Sequence, residues 1–219
     1  PHHNQSDIVT QLLNLGAEVK ARNVYGKTAL QMAKDKGNGG CVEAIEKHVA
    51  ERGGLVPLNV AGAAQRGDEE AVLAWLDGGG RVDVTFTAKG ASGFTLLMSA
   101  IYGHERLAAT LLQRGALIDL QNSDGCTALM LAANHGHERV AELLLQHGAE
   151  INQQDNAGGT ALMFAALWDH PAAVLCLLRA GADTELRTVA GHTALQVAKE
   201  KGHAGCVRAI EEHAAAEKA

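Results

Sequence analysis

Between residues 125 and 148 the apolar positions fall into two short blocks. GCTALMLAANHGH holds the first, ended by Gly136. ERVAELLLQHG holds the second, with Val140, Leu143 and Leu144 at helical spacing, so those three share one face. The pattern predicts two short helices joined by a turn. Thr127 opens the first, where its hydroxyl can satisfy an orphan backbone N–H, and Gly148 stops the second. Alanine on the first helix lets a neighbouring helix approach closely.

The same pattern returns along the chain. GCTALMLAANHGH (125–137), GGTALMFAALWDH (158–170) and GHTALQVAKEKGH (191–203) place Thr127, Thr160 and Thr193 at steps of 33. Gly115, Gly148 and Gly181 keep the same step, closing LLQRGA, LLQHGA and LLRAGA. A fixed period of this length marks stacked units, none of which covers its own apolar faces.

This period, with its GxTAL opening, AAxxGH middle and LLxxGA close, resembles the ankyrin repeat over nearly the whole chain. The resemblance implies an all-α solenoid of about six stacked helix-turn-helix repeats plus an N-terminal half repeat. The repeats read as 23–54, 55–83, 84–121, 122–154, 155–187 and 188–219, preceded by the half repeat at 1–22.

Two departures suggest that the array is interrupted. Residues 25–48 (YGKTALQMAKDKGNGGCVEAIEKH) closely copy 190–213 (AGHTALQVAKEKGHAGCVRAIEEH). The second copy ends the chain in a polar helix, as a closing repeat does, so the first reads as an array end too. Residues 55–83 lack the GxT turn and read as an array start. The expectation is therefore a tail of one array at 1–54 and a complete second array at 55–219, joined at Arg52-Gly53-Gly54. The rival is one unbroken solenoid; the spacing across the junction averages back to the period and favours stacking through it. The half repeat lacks its first helix, which leaves Ile8, Val9, Leu12 and Leu13 an uncovered side and invites self-association or fraying. The chain is thus read as a piece of a longer protein.

Composition supports this picture. Of the 219 residues, 47% are apolar but only 3% aromatic, which suits close-packed helices better than a β-sandwich. A net charge of −6 argues against a nucleic-acid partner, which needs a basic face. Cys41, Cys126, Cys176 and Cys206 form no CxxC pair, so neither a zinc site nor a disulfide framework is expected. Reduced thiols, and no apolar run near the ~18–20 residues of a membrane span, make an intracellular, cytoplasmic protein the expectation.

ARNVYGKT (21–28) fits a phosphate-loop expression, [AG]xxxxGK[ST]. However, Lys27 occupies a position held elsewhere by Phe94, Cys126, Gly159 and His192, and no strand is expected before it. It is read as a coincidence. His104, His137, His170 and His203 recur at one repeat position. Neighbours in such a row stand about 10 Å apart, so backbone hydrogen bonding across the repeat boundary is expected rather than a metal site. Gly78-Gly79-Gly80 and AKGASG (88–93) read as flexible loops. Trp75 reads as a packing residue. Glu150-Ile151-Asn152 resembles sites modified in this family by an animal asparaginyl hydroxylase, but a hydrogen bond within its own turn is the simpler expectation for Asn152.

No catalytic constellation, cofactor site or metal site can be assembled. The resemblance implies a non-catalytic scaffold that binds a partner protein on its concave face. Carried over position by position, that face comprises Phe94, Cys126 and His192 in the turns. At the ends of the first helices it comprises Ile101, Tyr102, Asn134, His135, Leu167, Trp168, Glu200 and Lys201. The 84–121 repeat is one residue short between Thr95 and Gly103, which leaves its register open. The alternative is a substrate-recruiting segment of a larger enzyme or ubiquitin-ligase adaptor.

Overall fold

The computed structural model describes residues 3–14, 27–45, 58–88 and 90–216. In chain order the elements are α1 (His3–Asn14), α2 (Ala29–Asp35), α3 (Leu58–Arg66), α4 (Glu69–Asp77), β1 (Thr85–Ala88), β2 (Ala91–Thr95), α5 (Leu96–Ala100) and α6 (Glu105–Gln113). There follow α7 (Ala128–Asn134), α8 (Glu138–Gln146), α9 (Ala161–Leu167), α10 (Pro171–Arg179), α11 (Ala194–Lys201) and α12 (Ala204–Ala216). A further helical stretch covers 39–45.

From α3 onward the helices pack in sequential pairs: α3 on α4, α5 on α6, α7 on α8, α9 on α10 and α11 on α12. The first helices also pack on each other in a row, α3–α5–α7–α9–α11, and the second helices in a row, α6–α8–α10–α12. The described residues therefore form a mostly helical solenoid of stacked helix pairs, with one two-stranded hairpin. Its core is continuous through the stack, with Leu96, Leu111, Leu144, Val174, Leu177 and Cys206 all fully buried. Ala100, Ala132, Ala133, Ala165, Ala166 and Ala198 are buried as completely, and their short side chains set the close spacing of the first-helix row.

The threonines cap as their spacing predicts. Thr28, Thr95, Thr127, Thr160 and Thr193 accept the N–H of Gln31, Met98, Met130, Met163 and Gln196. In the two copied repeats Gln31 and Gln196 return the bond to the threonine N–H, completing a capping box. Within ARNVYGKT, Thr28 caps a seven-residue helix and Lys27 pairs with Asp35 at 2.6 Å. Residues 21–26 lie outside the described chain, as does the junction at Arg52–Gly54.

Two glycine-rich segments take defined roles among the described residues. Ala88 and Ala91 stand at the closed end of a β-hairpin in which Thr85 pairs with Thr95 and Phe86 with Phe94, with a register shift before the Ala88–Ala91 pair. A β-carbon on Gly80 would lie 2.4 Å from the Trp75 ring. Gly80 is bare so that the indole can lie over it, and Trp75 packs on the core. In both segments the described glycines serve turn geometry and packing.

Hydrogen bonds stitch each repeat to the next. The Gln121 amide donates to the carbonyl of Gln154, and the Gln154 amide to that of Arg187. The carboxylate of Asp83 accepts from Leu117 N, that of Asp119 from Glu150 N, and the amide oxygen of Asn152 from Asp183 N. Asn152 therefore bonds across the repeat boundary, where a bond within its own turn was expected.

Candidate partner-binding face

The first helix of each repeat ends at a tight turn, and the residues just before that turn stand at the end of the first-helix row. What they present is fixed by how the chain leaves the helix. Gly103, Gly136 and Gly202 adopt left-handed φ of 92°, 70° and 75°. Asp169 does the same at φ 57°, a region that costs a side chain free energy and that Gly enters freely.

The next repeat's histidine packs over this turn. His104 Nε2 donates to Gln65 O at 2.9 Å, and His170 Nε2 to Asn134 O at 3.1 Å. A carbonyl only accepts, so the facing ring nitrogen carries the proton. A β-carbon on Gly67 or Gly136 would lie within 2.5 Å of these rings. Above Asp169 the arrangement changes: His203 donates through Nδ1 to Ala166 O, one residue further back. The ring has turned, leaving room for a side chain. The His137 ring lies against Gly103, and burial, then the neighbouring His135, His104 and His170, pull its pKa down.

Most of the candidate residues fall into two clusters, with Cys126 and the His192–Glu200 pair apart and Ile101 in the core. Trp168 caps the end of α9 and is 57% exposed. Leu167, Trp168, Lys201 and His203 line an open pocket of about 400 Å³. Further along, Phe94 packs at 6.1 Å from Phe86, and Tyr102 stands edge-on to His135 at 5.1 Å. His135 Nδ1 donates to Leu131 O and its ring stacks on His137. Phe94, Tyr102, Leu131, Asn134 and His135 border a cavity of about 210 Å³. His192 in the last turn stands 3.4 Å from Glu200.

Ile101 is a correction to the expected face: it is 1% exposed and forms part of the core. The shortened repeat loses its residue after the helix, not within it. His104 N bonds Ala100 O just as His137 N bonds Ala132 O and His170 N bonds Ala165 O. Counted from the capping threonine, Ile101 thus takes the buried place of Ala133 and Ala166, and Tyr102 is the residue left half-exposed at the surface.

Cys126, half-buried in its turn, has its thiol pushed up to about 11 by burial and by the carboxylates of Asp155 and Asp124. It stays protonated at neutral pH and is no nucleophile. Among the described residues no group of three His, Cys, Asp or Glu side chains is placed to hold a metal ion, and no helix is long and apolar enough to cross a membrane.

Sequence reasoning missed the Gln121–Gln154 ladder, although the signal was present: Gln121, Gln154 and Arg187 keep the step of 33. Arg187 continues the series by donating to Gly191 O.

Helix pairs stacked in register, those from α5 onward opened by a threonine cap and tied to their neighbours through their turns, define a solenoid of helix-turn-helix repeats. The chain matches the family described as ankyrin repeats (3 copies) over residues 60–155, 117–188 and 151–218, and it belongs to the ankyrin-repeat family. No curated protein matches it.

Proposed function

We propose that the chain is a non-catalytic scaffold that holds a partner protein against the ends of its first helices. Trp168 carries this reading. It is a large indole, more than half exposed, in a chain with two tryptophans, set beside an open pocket rather than into the core. Aromatic side chains that a partner can bury dominate interface energies. Phe94, Tyr102, Cys126, Asn134, His135 and Leu167 extend the face on one side of Trp168, and His192, Glu200 and Lys201 on the other. Ile101 supports it from beneath. The test is capture of a partner from the source lysate by the native chain and by the Trp168→Ala/Tyr102→Ala pair. The pair is expected to lose the partner at unchanged thermal stability. Retention of the partner by the pair would overturn the reading.

The division at 1–54 and 55–219 belongs to the same proposal. Gln31 in the first segment bonds Asp119 in the second, 88 residues on. Ile8 and Leu12 on α1 are 47% and 51% exposed and offer a surface for self-association. Residues 55–219 expressed alone should melt cooperatively; a segment that fails to fold would make the two parts one indivisible array.

A further inference from the structure

The outer face of α2 does not lie open: it is seated on the edge of the array at residues 112–121. Gln31 Nε2 donates to Asp119 Oδ2 at 2.8 Å, and Lys34 Nζ to Gln121 Oε1 at 3.0 Å. Leu30 is 3% exposed, and Leu117 and Ile118 are nearly as buried. The array is built for this contact at one repeat only. The position of Leu117 is held by Glu150 and Asp183 in the next two repeats, and both are exposed. An apolar residue there makes sense beneath a cover.

The same docking face occurs a second time in the chain. Leu195, Gln196 and Lys199 on α11 repeat Leu30, Gln31 and Lys34 within the copied sequence TALQxAK. On α11, Gln196 and Lys199 are exposed and Leu195 is half-buried. Internal repeats carry Met130 and Met163 where α11 has Gln196, and both methionines are buried under the following repeat. Thus one edge at 112–121 matches two faces of the chain, and one of those faces is uncovered. The seam between α2 and the edge also opens into a groove of about 450 Å³, so the contact is not closely packed throughout.

We propose that the α11 face of a second copy of this chain docks on the 112–121 edge in exchange for α2. Donor and seat lie at different places on the molecule, so the contact is head-to-tail and lets copies link in series. In the wild type the tethered α2 competes at a high effective concentration, and the exchange shows only when α2 is loosened. The donor residues Leu195, Gln196 and Lys199 share α11 with Glu200 and Lys201 of the proposed partner-binding face but are not themselves part of it.

Gln31→Glu sets a carboxylate against Asp119 and still allows the capping box with Thr28. Sedimentation velocity of the full chain from about 1 to about 100 µM should show Gln31→Glu associating at least ~10-fold more tightly than wild type. The Gln31→Glu/Gln196→Glu chain should return to the wild-type profile, because the second introduced carboxylate, on α11, repels Asp119 of the neighbouring copy. Hydrogen exchange of residues 29–35 reports whether α2 has left; where it has not, Lys34→Glu is added to empty the seat. A chain with α2 released that stays monomeric overturns the proposal. So does association that Gln196→Glu leaves untouched, because it then runs through another surface such as Ile8 and Leu12.

Discussion

Asp169 is a single residue that departs from its own repeat pattern, and it does so beside the exposed indole of Trp168. Its equivalents at 103, 136 and 202 are glycines. It holds a left-handed backbone while its carboxylate reaches Cys206 Sγ only at 3.7 Å, a weak compensation. Asp169→Gly should relieve the strain and raise the melting temperature by about 2 °C. Asp169→Ala keeps the β-carbon, loses the local polar contacts that help Asp tolerate this region, and should lower stability by about 1 kcal/mol. Differential scanning calorimetry on the two variants separates backbone strain from side-chain contact: equal shifts in one direction would exclude strain as the cause. Cys126 offers a second check at this scale. With its thiol pushed up to about 11, its alkylation by iodoacetamide at neutral pH should be slower than that of an unperturbed thiol by about two orders of magnitude.

At the scale of the element, the turn between first and second helix is the unit that the histidines control. His137 sits where burial and three neighbouring imidazoles oppose its charge. Its folded pKa lies below the unfolded value, so the unfolded chain binds the proton more readily. The stability it supports is present above the unfolded pKa of about 6.5 and is lost as pH falls through the folded one. Thermal melts between about pH 7 and about pH 5 should show the wild type losing stability on acidification, and His137→Gln losing measurably less. An identical slope in the variant would place the pH dependence on other groups. These elements were legible in the sequence to the extent that they repeat. Thr127, Thr160 and Thr193 announce their caps because three copies at one step outweigh any single motif, and the same comparison disposes of the phosphate-loop match at Lys27. The hairpin at AKGASG was not legible, since glycine-rich turns and flexible loops share a composition and only the Phe86–Phe94 pairing distinguishes them. Ile101 was misplaced for a related reason. Counting back from Gly103 puts it at the surface and counting forward from Thr95 puts it in the core; the backbone bond from His104 to Ala100 decides for the core. The seat of Gln31 on Asp119 spans 88 residues, and no local pattern encodes a contact of that separation.

For the whole molecule the governing fact is that each repeat touches chiefly its neighbours. Leu162 on α9 is 1% exposed, and α9 packs on both α7 and α11, so its side chain belongs to the middle of the stack. Leu162→Ala should cost about 3 kcal/mol from lost burial and the cavity left behind. In a globular core that loss lowers the whole transition together. In a stack it falls on the couplings next to one repeat, and the repeats beyond them keep their own interfaces. The hydrogen-exchange protection of 194–216 should therefore fall by roughly two orders of magnitude, because those residues pack on the rest of the array chiefly through α9 and α10. Protection in α3 to α6 should change far less, since α3–α5 and α5–α6 packing does not involve Leu162. Urea unfolding should broaden, as the C-terminal end melts ahead of the remainder. A uniform fall in protection from α3 to α12, with an unbroadened transition, would show that the array unfolds as one cooperative body and that the nearest-neighbour account is wrong for this chain.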